Sequence, residues 1–305
     1  MRAGRKPLFL FLVLVLFLVT FSLHADATVK IPAEYGEIIY RFNEKSPNQI
    51  FIIGISHRDA LTCLNGVNTS RVQAEIYKIG DWLIHNQAVE LVLPEGFFKS
   101  RLAKNEKENI NPPEKENGCA SMDMEALEKR LSDDKIYLNA EMILRENHSL
   151  RLRQIEDENL YRAVRNHLLM LTRCKDDSAD YSRLKSEIET LQEKRTAAML
   201  QKIPQIVDDE FRQGNIKNRK AIFTIGMFHL HNVITYLTEK RIKIRGSLSA
   251  SDGKGGDTVE LNLQKENFGA SVIIPRTLAS DQKILEINEL DEIVRKCQSK
   301  PPVVH

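Results

Sequence analysis

Three stretches of the chain end an apolar, β-branched run in a side chain able to bind a metal or move a proton. FIIGISH ends in His57, LVLPEG reaches Glu95 and FTIGMFH ends in His229. Two imidazoles and a carboxylate form a ligand set suited to a divalent transition metal of the Mn, Co or Zn class that keeps an open position for water. Glu95 is then either the third ligand or the general base that takes a proton from that water. Gly54 and Gly226 each stand three residues before a histidine, so the spacing G-x-x-H occurs twice. A residue without Cβ lets the backbone turn sharply or approach a neighbour closely. One such spacing is a weak signal, because a histidine at a strand end is most often a hydrogen-bonded core residue. Two copies in the same context, with a glutamate strand between them, are harder to ascribe to chance. His231 has three open duties: outer partner of a ligand, extra ligand, or cap of the following helix. A non-ligand duty is expected, since a helix starts there and helical residues two apart do not share a face. His85, His148 and His167 stand in helical or loop contexts without partners near them in the sequence, as solvated or core histidines.

Such residues need elements to position them. EIIYRF and QIFIIGIS read as two strands joined by NEKSPN, whose Asn, Ser and Pro are turn formers, so a β-hairpin is expected. Val72, Ile76, Ile79 and Leu83 recur at helical spacing behind Ser70, which predicts an amphipathic helix from Ser70 to His85 with Ser70 as its cap. AVELVLP is the next strand, and strand, helix, strand in that order implies a right-handed parallel crossover. Lys99 to Lys129 is crowded with Lys, Glu and Asn and reads as a solvated excursion or lid, the first place a protease should cut. From Met124 to about Gln213 the pattern is helical. Its expected buried positions are Ile136, Leu138, Met142, Ile143, Leu160, Val164, Leu168, Leu171, Leu184, Ile188, Leu191, Met199, Ile203 and Ile206. Gly214 breaks the pattern and KAIFTIG returns to strand. A helix through Val233, Tyr236 and Leu237, a short strand RIKIR, a Gly/Ser-rich loop GSLSASDGKGGD and a last strand ASVIIP complete the chain. The sum is an α/β fold: a mixed, largely parallel sheet with an N-terminal β-hairpin and a large helical insertion at about 99–215. Ligands of open α/β sheets bind outside the carboxyl ends of the strands, where His57, Glu95 and His229 would meet.

The bulk of the sequence bounds the setting. Arg2, Arg5 and Lys6 precede an unbroken apolar run from Leu8 to Val19, too short for the roughly 20 residues of a membrane span. With the small residues of Ala25-Asp26-Ala27 this reads as a signal peptide over residues 1–27, cleaved after Ala27, and hence as an exported, periplasmic or secreted protein with no membrane span after cleavage. That leader holds three of the 44 Lys+Arg and one of the 42 Asp+Glu, so residues 28–305 balance at 41 against 41. A neutral chain with no basic block gives no electrostatic reason for a nucleic-acid partner. Cys63, Cys119, Cys174 and Cys297 form an even set in an exported chain, which predicts two disulfides. The sequence does not choose among the three possible pairings; Cys63 with Cys119 and Cys174 with Cys297 is the one taken here, and four reduced, buried cysteines are the alternative. Asn68-Thr69-Ser70 and Asn147-His148-Ser149 are glycosylation triplets for a eukaryotic secretory route.

The same patches resemble a known family, the TraB/PrgY/GumN group with its animal relatives the Tiki proteases, more distantly related to the erythromycin esterase and ChaN proteins. FIIGISH is similar to the family's first glycine-histidine motif, LVLPEG to its glutamate strand and IFTIGMFHLHNV to its second glycine-histidine strand. EKRTAAMLQKI, with Arg195, resembles the helix before that second motif, where the family favours Arg-Asn and this chain has Thr196. The resemblance implies a metal-dependent, peptidase-like hydrolase with His57, Glu95 and His229 at the metal. It implies a catalytic part for Glu95; Arg195 either holds a substrate carboxylate through its planar fork or is an ion-paired or surface arginine, the two readings standing level. The substrate would be a peptide or small molecule. The alternative, implied by the ChaN-like relatives, is a non-catalytic protein that holds a ligand such as haem in the same cleft.

Overall fold

The computed structural model describes residues 29–56, 66, 68–98, 123–132, 139–176, 178–244 and 258–298. The chain divides into two units, Met1–Lys30 and Ile31–His305, and all elements that follow belong to the second. The leader, His57, Cys63, Cys119, the charged segment from Lys99 to Met122 and the Gly/Ser-rich loop lie outside the described residues.

A six-stranded sheet runs through the core in the order β1 (Gly36–Phe42), β8 (Phe268–Pro275), β2 (Asn48–Ile55), β5 (Lys220–Gly226), β3 (Leu91–Pro94) and β4 (Arg151–Leu152). Strands β8, β2, β5, β3 and β4 are mutually parallel, and β1 alone runs antiparallel, against β8. The fold is α/β with a mixed, mostly parallel sheet, as the sequence implies. Central strands covered on both faces must be apolar throughout. Ile50, Phe51, Ile52 and Ile53 of β2 and Ile222 and Phe223 of β5 are fully buried, as is every residue of β8 to within a few per cent.

The N-terminal hairpin is split. Its two strands run antiparallel and are joined by a short turn around Asn43–Ser46, but β8 is inserted between them and takes both ladders. Burial explains this: all eight residues of β8 are buried, so it needs a neighbour on each side, whereas β1 is half-buried in an edge-strand pattern.

Helices fill the connections. Among the described residues they are α1 (Thr69–Gln87), α2 (Met124–Leu131), α3 (Ala140–His148), α4 (Glu158–Leu171), α5 (Ala179–Arg212), α6 (Leu230–Glu239), α7 (Asn262–Lys265), α8 (Arg276–Ala279), α9 (Gln282–Ile287) and α10 (Asp291–Gln298). A side-chain oxygen of Asp123, Asn139, Asp157, Ser178 or Asp281 accepts a backbone N–H at the start of α2, α3, α4, α5 or α9. Helix α1 differs from expectation: it begins at Thr69, and Asn68, not Ser70, holds the cap position without a side-chain bond. Helices α2 to α5 and the short strand β4 lie between β3 and β5 in the chain, where the helical insertion is expected. Of its predicted apolar positions Ile143, Val164, Leu184, Ile188, Met199 and Ile203 are buried, and Met142, Leu160, Leu168, Leu171, Leu191 and Ile206 are half-buried. Strand β6 (Arg241–Lys243) pairs with β7 (Thr258–Glu260) in a separate two-stranded sheet. No helix among the described residues is long and apolar enough to cross a membrane.

Cys174 and Cys297 do not pair with each other. Cys174 Sγ lies 3.5 Å from the Met170 carbonyl at the end of α4, and Cys297 Sγ lies 3.1 Å from the Ile38 carbonyl of β1. The expected Cys174–Cys297 bridge is thereby corrected, since the two anchor to different elements. The two glycosylation triplets also differ: Asn68 is exposed, while Asn147 is held in the fold, its Nδ2 donating to Tyr77 Oη at 2.8 Å.

Candidate functional site

Strands β2 and β5 are neighbours in the sheet, and the register sets Ile55 opposite Gly226 at their carboxyl ends. From β2 the chain goes on to β3, beyond β5, while from β5 the next strand of this sheet is β8, beyond β2. The connections thus leave this strand pair in opposite directions, the arrangement at which α/β sheets form ligand crevices. Glu95 follows β3 directly, with its backbone N–H on Thr224 O of β5 at 3.0 Å. His229 ends a single turn of 3-10 helix, Met227–His229, between β5 and α6. A tight turn there, in place of continued strand, directs the ring back across the strand ends.

Gly54 has a direct part in this packing. A Cβ at position 54 would stand 2.6 Å from Leu230 Cδ1 and 2.8 Å from Met227 Sδ, so the bare backbone of β2 is what lets the histidine turn settle on it. The glycine of the first G-x-x-H therefore supports the histidine of the second. Gly226 contributes through its amide, whose N–H donates to Glu95 Oε2 at 2.6 Å.

Glu95, Arg195 and His229 form one cluster. Glu95 Oε1 lies 3.3 Å from His229 Nε2 and accepts from Arg195 Nη2 at 2.9 Å. All three side chains are less than a tenth exposed. Arg195, on α5, also grips Glu156 in a two-point fork, Nε to Oε1 at 3.0 Å and Nη2 to Oε2 at 2.8 Å, and its Nη1 donates to Gln192 Oε1 at 2.6 Å. Four of the five N–H groups of a guanidinium are thus given to protein acceptors. The Tyr161 ring covers the guanidinium at 5.4 Å, and Phe98 meets Tyr161 edge-on. Burial opposes the charge of Arg195 as the largest single effect, but the Glu156 hydrogen bond and the Glu95 and Glu156 charges together outweigh it and raise its pKa. One guanidinium with two carboxylates leaves one net negative charge in the cluster when His229 is neutral.

Thr196, the next residue on α5, decides the state of His229. Its hydroxyl donates to Gln192 O at 2.9 Å, and its oxygen lies 2.7 Å from His229 Nδ1. With its one proton on the carbonyl, Thr196 accepts from Nδ1–H. The lone pair of the neutral ring is then on Nε2, which faces Glu95 Oε1. Two acceptors 3.3 Å apart in a buried site call for a cation or a proton between them.

Of the residues singled out in the sequence, Glu95, Arg195 and His229 meet, and His57 lies outside the described residues, one residue beyond Ser56 at the end of β2. His231 stays apart, on α6, with Nδ1 at 3.1 Å from Glu289 O. Glu156 and Tyr161 complete the cluster but are not legible in the sequence: Glu156 lies in an acidic run, IEDEN, whose readable signal is the helix cap Asp157. His167 lies 3.4 Å from Glu187. His85 and His148 are not the isolated histidines expected, since both meet Asp81. Burial, with the charge of His85 adding to it and that of Asp81 opposing it, lowers the pKa of His148.

The chain matches no protein-family model, no curated protein and no solved structure.

Proposed function

We propose that the strand-end cluster is the centre of a metal-dependent, peptidase-like hydrolase. His229 and Glu95, with His57 as third ligand, would hold a divalent ion of the Mn, Co or Zn class, which when bound lowers the pKa of a coordinated water and polarises a carbonyl oxygen. The observation that carries the reading is the buried approach of His229 Nε2 to Glu95 Oε1 at 3.3 Å, with Nδ1 already committed to Thr196. The donor set fits such an ion: two ligand atoms about 2.0–2.2 Å from a zinc-class metal stand roughly 3.3–3.6 Å apart at tetrahedral angles. A ligating histidine whose other nitrogen donates to a fixed acceptor is the usual outer support of a metal site. The net negative charge of the cluster favours a cation.

The remaining residues hold these two. The Gly226 amide and Arg195 each bond one oxygen of Glu95, which fixes the carboxylate plane. Arg195 is therefore a positioning residue for Glu95, and its hold on Glu156 leaves little of its fork for a substrate carboxylate. Resemblance to the TraB/GumN motifs and the leader-like N-terminus support an exported protein, periplasmic or secreted, acting on a peptide or small molecule.

The test is hydrolysis of a fluorogenic peptide library by the purified full chain. The reading expects cleavage that is abolished by a chelator and restored by Mn, Co or Zn. No cleavage with any of these ions, together with one-to-one haem uptake that His229→Ala abolishes, would replace it with the ligand-binding alternative.

A further inference from the structure

Helix α1 carries Asp81 and His85 one turn apart near its carboxyl end, and α3 ends in His148. A ring nitrogen of each histidine and a carboxylate oxygen of Asp81 all lie within 4.8 Å of one another. Two features of packing bring α3 so close. Gly80 has no side chain where a Cβ would stand 2.4 Å from Leu144 Cδ1, and Asn147 Nδ2 donates to Tyr77 Oη, one turn before Asp81.

Within this cluster a shielded ring nitrogen stands directly against a carboxylate. His148 Nε2 is shielded from solvent, and its near neighbour is Asp81 Oδ1 at 2.8 Å. It stands beside a carboxylate and a second imidazole, the donor types that a zinc-class ion takes. The His85 ring, 63% exposed, lies edge-on to His148 with centroids 5.3 Å apart, and its Nδ1 lies 2.8 Å from the Asp81 carbonyl, a contact that ligation through Nδ1 would exchange for the ion.

We propose that Asp81, His85 and His148 form a second divalent-metal site, of the zinc class, which clips α3 onto the end of α1. Two imidazoles and one carboxylate supply three protein ligands and leave a fourth position to water. The donors converge from two helices, His85 and His148 lying more than sixty residues apart in sequence, so the ion ties α3 to the α1 crossover. None of its ligands belongs to the Glu95–His229 cluster, and the two sites stand or fall separately.

Zinc binding to the full chain distinguishes them, measured by isothermal titration and by metal retained after desalting. The Glu95→Gln/His229→Ala double variant should keep one zinc, and zinc should raise its melting temperature. His85→Ala in the wild-type background should remove one equivalent. Its affinity at this site should fall at least about 100-fold, since losing even an outer-shell partner costs about 10–100-fold. Because His85 is exposed, its replacement leaves the core untouched, and Asp81→Asn provides a second probe. The proposal is overturned if the double variant retains no zinc, or if wild-type stoichiometry and affinity survive both His85→Ala and Asp81→Asn.

Discussion

At the scale of single residues, the cluster turns on proton positions. Thr196 is the residue that hands Nε2 of His229 a lone pair, because its own hydroxyl proton is spent on the Gln192 carbonyl. Replacing Thr196 with Val keeps the shape and removes the acceptor, leaving a buried Nδ1–H without a partner. Metal affinity at the strand-end site should fall by about 10–100-fold, the usual cost of losing an outer-shell support, with Thr196→Ser restoring it. Unchanged affinity in a folded Thr196→Val would mean that the hydroxyl does not set the ring. Sequence gives Glu95, Arg195 and His229 but gives no reason for Thr196 to matter, because a threonine in a long helix has an ordinary back-bond to its own turn as its default partner.

At the scale of elements, the histidine turn is set down on β2 by Gly54. Gly54→Val would drive two methyl groups into the space held by Leu230 and Met227. Overpacking of this kind costs about 1–3 kcal/mol, and the displaced turn carries His229 away from Glu95. The variant should keep its far-ultraviolet circular dichroism yet bind metal at least about tenfold more weakly at this site, as expected for a ligand set disturbed beyond its outer shell. Gly54→Ala, which meets only flexible side-chain ends, should do less. Element positions were legible wherever an apolar run was long: β2, β5, β8 and α1 fall where periodicity puts them. Pairing was not, since the insertion of β8 between β1 and β2 depends on contacts some 220 residues apart. Arg151–Leu152 and Thr258–Glu260 are too short and too polar to show a strand pattern at all. Asp81 and His85 are an i, i+4 pair on α1 that the reading of His85 as partnerless passes over, and the third member, His148, is placed by tertiary packing alone.

At the scale of the whole molecule, the apolar core and the chemistry occupy different places. The sheet is held by fully buried aliphatic and aromatic residues of β2, β5 and β8, whereas Glu95 and His229 sit past the strand ends. Loss of an ion from such a place should leave the fold, unlike a small zinc domain that unfolds without its metal. The central claim is that His229, Glu95 and His57 hold one ion between them. It is tested most directly by metal content measured beside circular dichroism for His57→Ala, Glu95→Gln, His229→Ala and His231→Ala, all in a His85→Ala background that silences the second cluster. The account predicts native-like dichroism throughout, with one equivalent of metal in the His231→Ala protein and none retained in the other three. Undiminished metal in both the His57→Ala and the His229→Ala proteins would contradict it.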